Sequence, residues 1–314
     1  MATVLPVNII CPTSTGIQFT CTFSPHPVNI NPVPSRFFDC IKICFCGSHF
    51  CRRKCPMLKQ FKGKGKSVTC WVNPDDFGSH GQSLVFIHGS GSNSSVWSYQ
   101  YASLYKNFNI AAVNLPGHGQ SEGNGEQDIK AYVGILKEIL DVLKLKRPVL
   151  IGHSLGAAIA LGFAAAWPGE ISGVVAAGGG LTMPVNPDII QGFLSQPDII
   201  MDIVCKISLA KANRPVFYDA IRASLAEARV DVMAGDMTAC SKFDIRGELD
   251  KIKTPVLVVC GTEDKMTPPA LSEQIAAGIA GAKLVLIEGA GHMAMMEKPD
   301  VFNQAVKDFC ESIK

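Results

Sequence analysis

Ser154 stands in the stretch Gly152-His153-Ser154-Leu155-Gly156. Before it runs an apolar triplet, Val149-Leu150-Ile151, and after it a segment of small residues, 157–166, closed by Trp167-Pro168. The triplet reads as a buried parallel strand and the small residues as a tightly packed helix. Strand, sharp turn and helix with one serine at the turn is the G-x-S-x-G nucleophile elbow. The chemistry explains the spacing. The serine has to sit on a strained turn so that its oxygen stands clear of the sheet, and side chains at the flanking positions would strike neighbouring backbone. The following helix points its free N–H groups and the positive end of its dipole at the same place. A Gly-Ser turn with no chemistry has the same pentapeptide, so the rest of the chain has to decide.

The elements around this turn alternate. Residues 68–72 alternate like an early edge strand, and Asn73-Pro74-Asp75-Asp76 is a turn signal. Ser83-Leu84-Val85-Phe86-Ile87 reads as a buried strand that runs into His88-Gly89-Ser90-Gly91. Residues 110–114 form another, followed by Leu115-Pro116-Gly117-His118-Gly119. Ile129, Val133, Leu136, Ile139, Leu140 and Leu143 recur at helical spacing. Further strands are expected at 174–177, 255–260 and 284–287, the last two each followed by a loop and an amphipathic helix. Strands alternating with helices imply an α/β fold with a mostly parallel, doubly wound sheet and functional loops at the C-terminal ends of the strands. Between 181 and 245 the strand signals stop and short helical patterns appear, rich in Ile, Leu, Phe and Met around Ile189, Phe193, Ile199, Met201 and Val204. This stretch reads as a helical cap inserted into the sheet, against a core of 66–180 and 246–314.

Residues 1–65 are set apart as a low-order segment. Within it, 1–56 are rich in Pro and Cys and hold a single acidic residue, Asp39. Such a composition does not bury a core. The basic stretch 59–66 reads as a solvated lead-in. Two readings of 1–56 stay open: a genuine redox- or metal-responsive extension, or a start site that truly lies at Met57. The second is favoured, because a complete pattern begins just after Met57.

The chain has 314 residues, 47% of them hydrophobic and 18% charged, with a net charge of +2. A sizeable core is expected, and nucleic acid is disfavoured as the main partner. No apolar run is long enough to span a bilayer, and residues 1–10 make a poor signal peptide. Seven of the twelve cysteines precede Met57. Spacings of three, one, four and three residues between Cys40, Cys44, Cys46, Cys51 and Cys55 match no paired zinc knuckle, so no metal is expected there. The remaining cysteines read as reduced and buried, as in a cytoplasmic protein.

From about residue 68 to 313 the chain resembles the α/β-hydrolase superfamily in its form with a cap. The resemblance rests on His88-Gly89-Ser90-Gly91, Leu115-Pro116-Gly117-His118-Gly119, the Ser154 elbow, Gly261-Thr262-Glu263-Asp264 with Thr267-Pro268, and Gly289-Ala290-Gly291-His292. It implies a triad in the order Ser154, Asp264, His292. Ser154 would be the nucleophile, His292 the base, and Asp264 the carboxylate that orients the imidazole. The backbone N–H groups of Ser90 and Leu155 would form the oxyanion hole. Glu263 adjoins the acid position and Asp236 is its main competitor. His153, His88 and His118 read as structural, while His26, His49 and His80 have no assigned place. Asn114 stands where many relatives carry Asp, a difference expected to affect loop geometry only.

The implied function is a serine hydrolase of a small hydrophobic ester or related acyl compound, working through an acyl-enzyme on Ser154. Phe193, Met201 and Met293 are the candidate substrate-binding residues, with Met295 and Met296 near the base; the same side chains would serve equally in packing. No cofactor is implied, and the partner is a small-molecule substrate. The same triad serves a carbon–carbon bond hydrolase acting on vinylogous diketones, or a cofactor-free perhydrolase. A reading from another class is a non-enzymatic ligand sensor on the same fold.

Overall fold

Residues that alternate or run apolar at the expected places pair into one eight-stranded sheet in the computed structural model, which describes residues 57–63, 66–73 and 77–313. The zinc reading of Cys40 to Cys55, and the whole of 1–56, lie outside the described residues. The strands are β1 (Met57–Gly63), β2 (Lys66–Val72), β3 (Ser83–Ile87), β4 (Asn109–Val113), β5 (Val149–His153), β6 (Gly173–Ala177), β7 (Val256–Gly261) and β8 (Lys283–Ile287). Their order is β1-β2-β4-β3-β5-β6-β7-β8. β2 is antiparallel to both β1 and β4, and every later pairing is parallel.

The first strand corrects the reading of 57–65 as low-order and of 59–66 as a solvated lead-in. Met57 to Gly63 pair residue for residue with Val72 to Lys66. Composition hid this strand because an outermost strand needs a partner on one side only, and lysine on such an edge discourages pairing with other chains. β8 closes the opposite edge and keeps Leu286 exposed.

β3 lies between β4 and β5, and the chain leaves β3 toward β4 before crossing back to β5. The loops after β3 and β5 therefore diverge at the point where strand order reverses, which opens a crevice at the strands' C-terminal ends. Each strand face feeds its own core. Val85, Ile87 and Leu150 pack with α2 (Ile129–Leu143) and α3 (Leu155–Ala166). Leu84, Phe86 and Ile151 pack with α1 (Ser98–Leu104) and the C-terminal α10 (Pro299–Ser312). α2 starts at Asp128, whose side chain caps the Lys130 N–H, and ends at Lys144 in the left-handed conformation.

Between β6 and β7 come four helices: α4 (Pro187–Ser195), α5 (Pro197–Ser208), α6 (Arg214–Glu227) and α7 (Val230–Lys242). Pro187, Pro197 and Pro215 stand in the first turns of three of them, where a missing N–H costs nothing. The two ends of this insertion meet in a bridge between Thr182 and Asp244, with the Ile245 N–H donating to the Leu181 carbonyl at 3.0 Å. α8 (Pro269–Gly278) and the short α9 (Ala294–Glu297) complete the described helices. Cys70, Cys205, Cys240, Cys260 and Cys310 are all buried. No helix among the described residues is long and apolar enough to cross a membrane.

Candidate active site

Ser154 joins the end of β5 to the start of α3 with φ 54° and ψ −116°. A serine pays a steric penalty in this left-handed region, so the surroundings must hold it there. They do so at both backbone groups. Its N–H donates to the Ala177 carbonyl at 2.9 Å, and its own carbonyl accepts from Ala157 at 2.8 Å. Both flanking glycines are required by close approach. A Cβ on Gly152 would strike the Gly156 carbonyl, and one on Gly156 would strike the carbonyls of Ile87 and His88. The elbow is thus pressed against the end of β3. Ser154 itself is half-buried.

His292 and Asp264 come from the loops after β8 and β7. The Asp264 Oδ2 accepts from His292 Nδ1 at 2.8 Å and from the Thr267 hydroxyl at 2.9 Å. Its Oδ1 accepts the N–H groups of Met266 and Thr267, both at 2.9 Å. Burial alone would raise the Asp264 pKa, but His292 and the Thr267 donors outweigh it and hold the carboxyl below its usual range. A carboxylate only accepts, so the hydrogen of neutral His292 sits on Nδ1 and Nε2 keeps its lone pair. That is the tautomer a general base needs.

His153, the residue before the serine, donates from Nε2 to the His292 carbonyl at 3.0 Å, and the two rings lie 4.6 Å apart. Burial, with His292 beside it, pushes the His153 pKa down to about 3. It is a neutral strut between elbow and histidine loop. His88 has a similar job: its Nδ1 donates to the Gly89 carbonyl at 2.7 Å, and its Nε2 accepts the Leu115 N–H at 3.0 Å.

The loop after β3 runs alongside the serine. A Cβ on Gly89 would lie 3.1 Å from the Ser154 Cβ. Ser90 follows directly, and its buried hydroxyl has no hydrogen-bond partner among the described residues. Leu155 is the first residue of α3, so its N–H has no earlier helical turn to accept it.

The inserted helices reach this loop. A Cβ on Gly91 would lie 2.6 Å from Leu225 Cδ2 and 2.8 Å from Met233 Sδ. Neither residue stands out in the sequence, because nothing local distinguishes one apolar helical position from the next. Phe193, Met201 and Met293 are buried in the same apolar layer as Leu225 and Met233. The Met293 N–H donates to the Ser208 carbonyl at the end of α5. Met295 is fully buried and belongs to the core.

Asp236 does not meet His292. It lies fully buried on α7, accepting from His118 Nε2 at 2.9 Å and from the Tyr132 hydroxyl at 2.6 Å. His118 Nδ1 faces the Pro116 carbonyl at 3.1 Å. Both ring nitrogens of His118 thus face acceptors, which suits the imidazolium. Burial opposes that charge, but the Asp236 carboxylate outweighs it and raises the His118 pKa. This second histidine–carboxylate pair ties α7 to the loop after β4 and, through Tyr132, to α2. Asn114 accepts the Ser94 N–H at 2.6 Å and donates to the Thr69 hydroxyl at 2.8 Å. The second bond needs the amide nitrogen. Among the described residues, no three His, Cys, Asp or Glu side chains gather as a metal site requires.

The chain is 28% identical over 268 residues to a 2-hydroxy-6-oxononadienedioate/2-hydroxy-6-oxononatrienedioate hydrolase of Paraburkholderia phymatum, covering 76% of this chain and 90% of that protein. Among solved structures it is similar to a thermophilic esterase, with TM-score 0.73 and 28% identity over 82% of this chain and 98% of that one. It is likewise similar to the enol-lactonase of Burkholderia xenovorans, with TM-score 0.76 and 25% identity, covering 81% of this chain and all of that one. The model of the Alpha/beta hydrolase family matches residues 84–305, more than half of the sequence, and the chain belongs to that family.

Proposed function

We propose that the protein is a serine hydrolase of small, uncharged, hydrophobic esters or lactones, acting through an acyl-enzyme on Ser154. The observation that carries this reading is the strained Ser154 turn beside a buried His292–Asp264 pair with Nε2 left as the base. Ser154 Oγ attacks the carbonyl carbon while His292 Nε2 takes its proton. The N–H groups of Ser90 and Leu155 receive the oxyanion; losing one such donor costs about 3 kcal/mol of barrier. The tetrahedral adduct collapses, the alkoxide leaves with the proton from His292, and the acyl group remains on Ser154. Water, deprotonated by the same nitrogen, then releases the acid and restores the serine. Leu225 and Met233, with Phe193, Met201 and Met293 in the same layer, supply an apolar lining for the acyl group.

A second reading, carbon–carbon bond hydrolysis, is favoured by the name of the relative from Paraburkholderia phymatum. That name describes a dicarboxylate, whereas the side chains packed on the Gly91 turn are apolar. The ester reading is therefore preferred.

An organophosphonate probe and a panel of p-nitrophenyl esters, lactones and vinylogous diketones test both. The expected result is labelling of wild type but not of Ser154→Ala, with esters or lactones turned over faster than diketones. Faster diketone cleavage would transfer the assignment to the second reading. A folded wild type with neither labelling nor turnover would leave a non-enzymatic ligand sensor.

A further inference from the structure

The loop that carries His292 is Gly289-Ala290-Gly291-His292, with Gly289 at φ 66°. Two glycines and an alanine give it almost no side chain with which to hold itself. Its backbone is instead gripped from outside at each residue. The Gly289 N–H donates to the Thr262 hydroxyl at 3.0 Å, and the Ala290 carbonyl accepts the Glu263 N–H at 2.8 Å. The His292 carbonyl accepts from His153. The remaining grip, at Gly291, comes from a buried carboxylate outside the Ser154, His292 and Asp264 set.

That carboxylate is Glu297, at the end of α9 and 7% exposed. Its Oε1 accepts the Gly291 N–H at 2.9 Å. Its Oε2 accepts the Ala210 N–H at 3.0 Å and the Asn213 Nδ2 at 2.7 Å. Asn213 Nδ2 also donates to the Gly289 carbonyl at 2.9 Å. No ion-pair partner stands beside Glu297 among the described residues. A buried carboxylate persists in such a place when N–H donors satisfy it, and here donors converge from two segments. One is the histidine loop. The other, Ala210 to Asn213, is the connection between α5 and α6 in the inserted helices. The approach of the two is close: a Cβ on Gly291 would lie 2.5 Å from the Ala210 nitrogen.

We propose that Glu297 is a positioning residue for the reaction: its carboxylate sets the backbone on which His292 stands and fastens that backbone to the α5–α6 connection. It touches neither substrate nor Ser154 and acts through His292 alone. The inference rests on the reading of His292 as the general base. An amide in its place has one acceptor oxygen. Its NH2 then faces either the Gly291 N–H or the Ala210 and Asn213 donors, so one side of the clamp must open.

The test is Glu297→Gln in the full chain, with active sites counted by phosphonate labelling of Ser154. Relative to wild type, kcat per labelled site and the labelling rate constant are expected to fall at least tenfold, while KM for a p-nitrophenyl ester stays within threefold. A purely structural role would lower the melting temperature and the number of labelled sites but leave kcat per site unchanged. Glu288→Gln, on the exposed start of the same loop, controls for lost negative charge and is expected to keep wild-type kcat. Should Glu297→Gln not fold, Asn213→Ala replaces it. That change withdraws one donor from the carboxylate and one from Gly289, and is expected to lower kcat per site at least threefold at constant KM. Unchanged kcat per site in the folded variant overturns the positioning role. A wild type that is not labelled at all overturns instead the reading of Ser154 and His292 on which it rests.

Discussion

Asp264 and Asp236 are both buried carboxylates that accept a hydrogen bond from a histidine, yet they stand in different relations to Ser154. Asp264 holds His292, whose ring lies 4.6 Å from, and tilted to, that of His153, the residue before the serine. Asp236 holds His118, in the loop after β4, and Tyr132, on α2. Asp264→Asn is therefore expected to lower turnover by about 10⁴-fold with the fold retained, because the imidazole loses the acceptor that sets its tautomer. Asp236→Asn is expected to act on stability instead. It leaves a buried imidazolium without its counter-charge, a change that costs about 3–5 kcal/mol. Its pH signature follows from the raised His118 pKa. That group contributes stability fully below its ordinary value of 6.5 and loses it as pH rises through the higher folded value. His153, whose pKa is depressed, adds stability over the same range, so the His118 part is read as a difference: between pH 6 and pH 8 the denaturant midpoint of wild type should lose ground relative to that of Asp236→Asn. The depressed Asp264 pKa works the other way: its stability is present above the ordinary carboxylate value and is lost as pH falls through the lower folded one. A crippled Asp236→Asn beside an active Asp264→Asn would reverse the assignment of the acid.

At the scale of elements, the question is what α6 and α7 contribute above the sheet. Leu225 and Met233 press on the Gly91 turn, two residues from the Gly89 that borders Ser154. Val232 similarly packs on Gly117 and Gly125 in the loop after β4. In the proposed reaction, side chains so placed would bind the non-reacting part of the substrate and exclude water from the reaction centre. Each buried methylene adds about 0.8 kcal/mol, so kcat/KM should rise about fourfold per acyl carbon until the space is full. Leu225→Ala and Met233→Ala are expected to move that limit one or two carbons longer, read from kcat/KM across a p-nitrophenyl ester series. Phe193→Ala is expected to show a further effect. Its ring is 1% exposed, and its removal should cost about 3–5 kcal/mol of stability, read from denaturant midpoints. An acyl profile unchanged in Leu225→Ala and Met233→Ala would remove α6 and α7 from the pocket.

For the whole molecule, the sheet ends at β1, not at β2. A chain starting at Met57 retains all eight strands and is expected to match the full chain in melting temperature and kcat. A chain starting at Lys66 loses β1 and leaves one edge of β2 unpaired. The expected outcome is a melting temperature lower by about 5 °C, for a loss of about 2 kcal/mol, together with a greater tendency to associate. A Met57 chain that melted well below the full protein would assign residues 1–56 a part in the fold.

Much of this arrangement is written locally. The apolar runs of β3 to β7, the glycines at 152 and 156, the small residues of α3 and the change of pattern at 181 each follow from what neighbouring residues can do together. Periodicity and steric need act over a few positions, and a single sequence displays them. β1 escaped that reading because its stability comes from backbone pairing with β2, which polar residues permit as readily as apolar ones. Other features depend on loops that meet across the sheet. Nothing local says that Asp264 faces His292 while Asp236, also a buried aspartate, faces His118; the partners are 28 and 118 residues away. Nor does any pattern mark Leu225 and Met233 among the many apolar positions of the inserted helices, or Glu297 as the clamp on Gly291. Hydrogen bonds between distant side chains depend on where strand order and crossovers bring the loop ends, and only the tertiary structure sets that.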